Sequence, residues 1–393
     1  MSNLLYKIES EKRTPVVLSD YIKIKHGFAF KGEYFGEQGS HVVVTPGNFF
    51  EEGGFRRRKE KDKWYSGPIS KDYVLGKGDL IVAMTEQGEG LLGSSALIPH
   101  SDLFLHNQRI GLVEIKNEDV IDRRYLYYLL NTRGARSHVQ SSASGTKVRH
   151  TSPDRIASYE YDFPTLPTQK KVAQILNAYD EKIDNNNLII KNLESVAQAI
   201  FNEWFVDFRF PGHEKAKFVE SEMGDIPEGW GVKNVMDVIE RISVGKKYDN
   251  KSALISGKVP ILDQGQSGFI GYHNEEPGVT ASLDKPVVVF TNHTCYYRLL
   301  TEPFSCIQNV LPYVGKEGYS TFFIYFLTRE KVKMQEYKGH WPEFEQQIFV
   351  IPPVVIANQF ADKAKALIEK MVGCEKENVM LKETRDRLIT KLI

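Results

Sequence analysis

PTQKKVAQILNAYDEKIDNNNLIIKNLESVAQAIFNEWFVDF, residues 167–208, is the stretch that decides the fold. Apolar residues recur through it at alternating steps of four and three, with one gap at Asn186, and this seam consists of Val172, Leu176, Tyr179, Ile183, Ile190, Leu193, Ala197, Ile200 and Trp204. An apolar repeat of this spacing, kept over more than four heptads, is typical of a coiled-coil helix. The seam covers 33 residues, which corresponds to about 50 Å of helix.

A second seam of the same kind closes the sequence, after Pro352 and Pro353. Its positions, again spaced by four and three, are Phe360, Ala364, Leu367, Met371, Cys374, Asn378, Leu381, Arg385, Leu388 and Leu392. If the two helices run antiparallel, residues whose numbers sum to 564 face each other, so that Asn186 lies opposite Asn378. A lone buried Asn pair fixes the register of a coiled coil. The alternative is that both are simply tolerated polar residues of the seam.

The segments that precede the two helices resemble each other in the same order. The matching pairs are 18–22 with 235–239, 125–130 with 323–327, 159–164 with 347–352, and Gln169 with Gln359. We therefore predict a duplicated chain with an internal pseudo-two-fold repeat. Its parts are a first globular domain over 1–163, a central helix over 164–210, a second globular domain over 211–352 and a distal helix over 353–393. Short β-type runs, Gly residues and an aromatic helix in each half predict an α+β fold, with the long helices paired as an antiparallel coiled coil.

Composition sets wide limits on the class of protein. The chain has 393 residues, and its 51 Lys and Arg balance 51 Asp and Glu, which excludes a uniformly basic chain but not a local nucleic-acid footprint. Its three Cys residues fit neither a disulfide framework nor a structural zinc site. The sequence contains no run near the ~20 apolar residues of a membrane span, and its N-terminus lacks the apolar core of a signal peptide. We expect a cytoplasmic protein without a membrane segment or a metal site.

The first helix and the segment after it resemble the specificity subunit of Type I restriction–modification systems. The stretches that carry the resemblance are PTQKKVAQIL (167–176), AIFNEWFVDF (199–208), EMGDIPEGW (222–230) and RDRLITKL (385–392). They look like that family's central conserved region, the entry to its second target-recognition domain and its distal conserved helix. The resemblance covers the whole chain. The sequence ends at Ile393, a little before the family's usual tail, so we expect a trimmed C-terminus.

The resemblance implies a non-catalytic subunit that works in a complex. Each target-recognition domain would read one half of a split site in double-stranded DNA. The helices would space the domains and dock two methyltransferase subunits, which would carry S-adenosylmethionine, whereas this chain would hold no cofactor. Separate restriction and translocase subunits would cleave the DNA.

Two other classes of function remain open from the residues alone. Asp154, Asp180 and Lys182 imitate the carboxylate and Lys pattern of a metal-dependent nuclease, which needs two carboxylates to hold a divalent ion. Asp180 and Lys182, however, lie beside seam positions and would point outward from a coiled coil. A protein-only scaffold that binds partners through its helices is the third reading.

Positive charge is concentrated in a few loops and predicts where DNA is bound. Between Arg123 and Arg155 lie seven Lys or Arg residues and one acid. The candidate DNA-binding residues are Arg56, Arg57, Arg58, Lys63, Lys147, Arg149, His150, Lys246, Lys247, Gln264, Gln266, Lys338 and His340. Arg pairs bidentately with guanine and Gln with adenine, so Arg57, Arg149, Gln264, Gln266 and His340 are the candidates for reading bases. Gln108 and Asn309 flank apolar strands and are expected to be structural.

The seam supplies the candidates for helix pairing and partner docking. They are Leu176, Ile183, Asn186, Ile190, Trp204, Phe205, Leu367, Asn378 and Leu388. We expect Trp204, Phe205 and Phe208 to be exposed in the isolated chain, because they flank the seam, and to be covered by a partner protein.

Overall fold

The computed structural model describes residue 8 and residues 10–86, 90–145, 148–265 and 268–393. The chain divides into two compact units. The first runs to Ile183 and includes Val379–Ile393, and the second is Asp184–Asn378. Each unit therefore contains a globular part and one end of each long helix.

The first unit is built on two main sheets. Its strands are β1 (Thr14–Val17), β2 (Ile22–His26), β3 (Phe35–Gly36), β4 (His41–Val43), β5 (Trp64–Tyr65), β6 (Val74–Leu75), β7 (Leu80–Ala83), β8 (Thr85–Glu86), β9 (Ser95–Leu97), β10 (Phe104–Leu105), β11 (Ile110–Ile115), β12 (Arg149–His150) and β13 (Glu160–Phe163). The order is β2-β11-β7-β9 in an antiparallel sheet, and β3-β5-β4-β10-β6 in a sheet where β4 and β10 are parallel. Its short helices are α1 (Leu18–Tyr21), α2 (Arg123–Leu130), α3 (Arg133–Ser141) and α4 (Pro153–Ala157).

The long helix α5 (Leu166–Phe205) leads from the first unit to the second. The strands that follow are β14 (Phe218–Ser221), β15 (Gly224–Pro227), β16 (Gly231–Asn234), β17 (Ile239–Arg241), β18 (Lys247–Tyr248), β19 (Val259–Leu262), β20 (Phe269–His273), β21 (Val287–Thr291), β22 (Tyr297–Leu300), β23 (Ser305–Ile307), β24 (Val310–Gly315) and β25 (Ile348–Ile351). The short helices are α6 (Thr321–Thr328) and α7 (Trp341–Glu345), and the chain closes with the long helix α8 (Val354–Leu392). Each long helix contains the seam predicted for it, residues 172–204 in α5 and residues 360–392 in α8.

The sheets of the two units repeat one another. The second unit has an antiparallel sheet of order β17-β24-β21-β22, which matches β2-β11-β7-β9 strand for strand. It also has the sheet β18-β23-β19-β20, in which β19 and β23 are parallel as β4 and β10 are. In both units the strand before the long helix pairs antiparallel with an early strand, β13 with β1 and β25 with β16. The α+β class and the internal repeat are therefore confirmed.

The start of each long helix is held by an amide side chain, but not by the predicted pair. Gln169 accepts a hydrogen bond from Asp122 N and donates to Val120 O. In the second unit Asn358 does the same with Ser320 N and Gly318 O. The prediction that Gln359 is the counterpart of Gln169 is wrong by one residue, because the helix phase directs position 358 toward the globular part.

The helix ends pack antiparallel within each unit. In the second unit the rings of Trp204 and Phe360 lie 6.2 Å apart, and Asn186 hydrogen-bonds Asn378 at 3.0 Å. Both pairs have the residue numbers that the antiparallel register predicts. In the first unit Val172, Leu176, Leu388 and Leu392 share one buried core. Heptad packing therefore continues into the core of each globular part.

Trp204 and Phe205 are buried, so the prediction that they are exposed in the isolated chain is wrong. Their exposed fractions are 8% and 7%. Phe205 packs edge-on against Phe323 of α6 and Phe360 of α8, and Phe208 stacks edge-on against Trp230. The aromatic exit of α5 is thus a core element of the second unit, and a large-to-small change there would cost about 3–5 kcal/mol.

Candidate nucleic-acid interface

The basic loop that follows residue 55 is held largely by contacts of its own. The Arg57 guanidinium lies 2.9 Å from the carboxylate of Asp62, whose side chain is fully buried, and stands over the Phe104 ring at 5.7 Å. Arg58 donates to Gly47 O, and Arg56 lies over the Phe50 ring. Because a buried carboxylate needs a paired cation, Arg57 serves the fold and has little freedom to pair with guanine. Lys63 is exposed and lines a concavity beside β4.

Arg149 is also committed to a buried acid. Its guanidinium lies 3.1 Å from Glu86, which is 1% exposed, and donates to Gln140 O at 2.8 Å. The other carboxylate oxygen of Glu86 accepts from the backbone N–H groups of Leu91 and Leu92. Arg149 therefore serves as a structural cation that neutralises the buried Glu86 carboxylate. His150, its neighbour on β12, is exposed and points away from the core, while Lys147 lies outside the described residues.

The charge of the Arg123–Arg155 run is only partly available. Arg136 is buried, donates to the carbonyl groups of Glu51, Gly90 and Leu92, and burial lowers its pKa. Arg123 pairs with Glu118 and Asp79. Arg124 and Arg133 are exposed, so the outward positive charge of this run is smaller than its net charge in sequence.

Of the two neighbouring lysines Lys246 and Lys247 in the second unit, the first is paired with an acid and the second is exposed. Lys246 forms an ion pair with Glu275 at 2.8 Å and lies over the Tyr248 ring at 5.0 Å. Hydrogen bonding to Glu275 raises the pKa of Lys246. Lys247, one residue on, is exposed.

His340 is buried, so the prediction that it reads a base is wrong. Its side chain has no exposed surface and hydrogen-bonds the Glu343 carboxylate at 2.9 Å and Glu336 O at 3.0 Å. Lys338 bridges Glu336 and Glu343, both at 2.9 Å. The two carboxylates raise the pKa of Lys338, and the ammonium lowers theirs. This cluster closes the loop in front of α7 and leaves no ring edge for DNA.

Gln264 lies in an open concavity of about 450 Å³ in the second unit, together with His293, Tyr337 and Gln308. Its Oε1 accepts from the backbone N–H of His293 at 3.0 Å. The Tyr337 ring is 78% exposed and stacks on His293 at 5.0 Å. An exposed stacked ring and amide groups in one concavity suit contact with bases or sugars. Gln266 lies outside the described residues.

Sequence reasoning missed Tyr337 and His293 as members of this concavity. They are 44 residues apart, and only the loop before α7 brings them together, where His293 also hydrogen-bonds Lys338 O. The Tyr337-Lys338-Gly339 stretch did carry a signal, since an aromatic residue beside a cation favours nucleic-acid contact.

Asp180, one of the three nuclease candidates, is engaged in contacts within the fold. The Asp180 carboxylate accepts from Tyr128 at 2.5 Å and pairs with Arg385 at 2.7 Å. Asp154 is an exposed residue of α4. Within the part of the chain that the structure describes, no group of three His, Cys, Asp or Glu side chains is arranged to hold a metal ion. Asp180 is therefore a link between α2, α5 and α8.

A helix can cross a bilayer only if it is both long enough and apolar enough. Among the described residues, no helix combines both properties to the degree that crossing a bilayer requires.

Comparisons with known proteins agree with this architecture. Residues 11–195 match the family described as the Type I restriction modification DNA specificity domain. The chain is 23% identical over 306 residues to the Type I restriction enzyme MjaIX specificity subunit of Methanocaldococcus jannaschii, which covers 72% of this chain and 71% of that protein. It is 24% identical over 351 residues to the putative MjaX specificity subunit of the same organism, with 82% and 79% covered.

A solved structure shares the fold over nearly the whole length. The S subunit of a Type I restriction–modification system from M. genitalium superposes with a TM-score of 0.60 at 13% identity, over 98% of this chain and 96% of that one. The chain is therefore similar to Type I restriction–modification specificity subunits in sequence, over residues 11–195 for the family match and over most of its length for these relatives, and it has the fold of a solved S subunit.

Proposed function

We propose that this chain is a specificity subunit of a Type I restriction–modification system and that each of its globular units reads one half of a bipartite target in double-stranded DNA. The duplicated fold is the observation that carries the proposal. The sheets β2-β11-β7-β9 and β17-β24-β21-β22 have the same strand order, yet their loops carry different side chains. Two globular units that share a fold but differ in their loops suit a split target whose two halves differ in sequence.

The long helices are proposed to dock two methyltransferase subunits. Beyond the seam, α5 leaves Leu188 and Val196 56% and 47% exposed, and α8 leaves Val355 69% exposed. Apolar side chains on the outer side of a helix favour contact with another protein. In the assembled complex these partners would bind S-adenosylmethionine and methylate adenine, and separate restriction and translocase subunits would cut the DNA in the cytoplasm.

Co-expression tests the proposal directly. The chain is produced with its methyltransferase subunits in a host without methylated adenine, and methylated positions are read by long-read sequencing. We expect one bipartite motif, absent when this chain is omitted. Exchange of residues 1–163 for the corresponding domain of another specificity subunit should change one half of the motif only. An unchanged motif after the exchange would contradict the modular reading.

The other two classes of function give different outcomes. A nuclease would nick DNA as an isolated chain with Mg²⁺. A protein-only scaffold would form the same complex with methyltransferase subunits but would not retard DNA in a gel-shift measurement and would leave the methylation pattern unchanged.

A further inference from the structure

The turn that leads from the parallel strand pair to the antiparallel sheet occurs in both units. Strands β10 and β11 in the first unit correspond to β23 and β24 in the second, at a constant offset of 200 residues. The same contact closes both turns, because His106 Nε2 hydrogen-bonds Ile110 O at 2.8 Å and Cys306 Sγ approaches Val310 O at 4.0 Å. The correspondence therefore holds residue by residue.

Two positions in this stretch have the same residue in both units. Over residues 104–113 and 304–313 these are Phe104 with Phe304, and Gln108 with Gln308. Both Phe side chains are fully buried, so packing accounts for their identity. Both Gln side chains are exposed, so packing does not account for theirs.

The side-chain amides of Gln108 and Gln308 have no hydrogen-bond partner among the residues that the structure describes. The backbone of Gln108 is used, since its N–H donates to Phe28 O at 3.1 Å. The turn is thus anchored through the main chain. Each amide keeps a donor and an acceptor available for a ligand.

Each Gln lines a concavity at the same place in the fold. Gln108 shares its concavity with Thr45, and Gln308 shares the larger one with Asp263. Thr45 and Asp263 are themselves equivalent, because the parallel register pairs Val43 with Leu105 and Ile261 with Ser305. The two concavities therefore represent one site, present twice.

The remaining linings differ between the two copies. Lys63 and Arg109 lie beside Gln108, whereas His293 and Tyr337 stand in the concavity of Gln308. A shared amide among different neighbours suits two half-sites that have one base type in common and otherwise differ. Adenine presents its N7 acceptor and N6 donor in the major groove, and a Gln amide pairs with both.

We propose that Gln108 and Gln308 are the matched base-reading side chains of the two units, and that each recognises an adenine in its own half-site. This rests on the proposed function, because it needs a specificity subunit bound to DNA. It replaces the expectation that Gln108 is structural, and it adds Gln308, which the loop charges do not single out.

The test is a selection of duplexes from a random-sequence library by the complex of the full chain with its methyltransferase subunits. We expect Gln108→Ala to relax one adenine position in one half of the selected motif, with a roughly 5- to 150-fold loss of discrimination. Gln308→Ala should relax one position in the other half. Gln308→Glu should shift that position from adenine toward cytosine, since a carboxylate accepts from cytosine N4.

Gln174→Ala is the matched control, because Gln174 is an exposed Gln on α5 outside both concavities. It should leave the motif unchanged, and all four variants should keep the melting temperature of the wild type. If the wild-type complex selects no motif, the proposed function fails and the inference with it. If the wild-type motif is bipartite but unchanged in Gln108→Ala and Gln308→Ala, the inference alone is overturned.

Discussion

The side-chain amide of Asn186 donates to Asn378 Oδ1 at 3.0 Å, and Asn378 in turn donates to Asn187 Oδ1 at 2.9 Å. Asn186 has no exposed surface, and Asn378 is 8% exposed. Asn186 also donates to Glu377 at 2.8 Å. The polar gap in each apolar seam therefore meets the gap of the other, and a shift of either helix along its axis would leave buried amides without partners.

Asn186→Leu should lower the free energy of unfolding by about 1–3 kcal/mol, because it leaves the buried Oδ1 of Asn378 without the donor that Asn186 supplies. The double variant Asn186→Leu with Asn378→Leu should recover most of this loss. Urea unfolding of the single and double variants measures the coupling between the two positions.

Register itself is measured by an engineered disulfide. Ile190→Cys faces the natural Cys374 when residue numbers sum to 564, so oxidation should cross-link α5 to α8 in the wild-type register. We expect the cross-link to weaken when both Asn residues become Leu, with Cys374→Ser as the control that abolishes it. An equal yield in both backgrounds would show that the Asn pair does not set the register.

Asp180→Ala should destabilise the first unit by about 1.5–3 kcal/mol, since Tyr128 and Arg385 each lose a hydrogen bond to a carboxylate. The measurement is thermal unfolding, with Asp154→Asn as a control at an exposed position. Incubation of both variants with plasmid and Mg²⁺ tests the nuclease reading on the same samples. If the wild type nicks the plasmid and only Asp180→Ala abolishes the nicking, the nuclease hypothesis would be supported again.

His340→Ala should lower the stability of the second unit by about 1–3 kcal/mol and leave the methylated motif as it is, because the ring is buried between Glu343 and Glu336. Lys338→Ala, in the exposed part of the same cluster, should leave the melting temperature unchanged. A motif altered by His340→Ala at unchanged stability would return His340 to the base-reading set.

The free energy of unfolding of the first unit should decrease as the pH drops under about 6.5, which is the ordinary pKa of His. Burial lowers the pKa of His106, so the unfolded chain takes up a proton there more readily than the folded chain does. The stabilisation is complete above the unfolded pKa and is lost as pH falls toward the folded one, with a slope of at most about 1.4 kcal/mol per pH unit.

His106→Cys, which copies the residue at Cys306, should flatten this dependence because a thiol does not bind a proton in that range. Urea unfolding between pH 5 and pH 7.5 compares the two proteins. If the free energy of unfolding of the two proteins decreases in parallel toward low pH, a group other than His106 causes the loss of stability in acid.

The fold was largely predictable because its deciding features are local in sequence. The seams of α5 and α8 need only the spacing of their own apolar residues, and the prolines before them mark where they begin. The repeat was visible because equivalent elements keep their order. Gln359 was assigned one residue away from Asn358, since sequence similarity does not resolve the phase of a helix against the domain that it meets.

The binding residues were less predictable, because the role of a charged side chain depends on a partner elsewhere in the chain. Arg149 was proposed as a DNA contact, but its acid is Glu86, 63 residues earlier and buried. His340 has a polar neighbourhood in sequence and no exposed surface in the structure. Gln108 and Gln308 gave the opposite case, since nothing in their own segments shows that both amides are exposed in equivalent concavities.

By itself, the sequence determined the two long helices and the duplication of the globular part, because apolar periodicity and residue order are properties of the chain alone. The antiparallel register was conditional in the sequence, and the contacts of Asn186 with Asn378 and of Trp204 with Phe360 decided it. Only the tertiary structure decided which polar side chains are free. That property depends on burial and on contacts between segments far apart, such as Asp180 with Arg385, 205 residues along the chain. The helical frame can therefore be identified from spacing, whereas the proposed reading surface is defined by the loops and sheets that surround each amide and each charge.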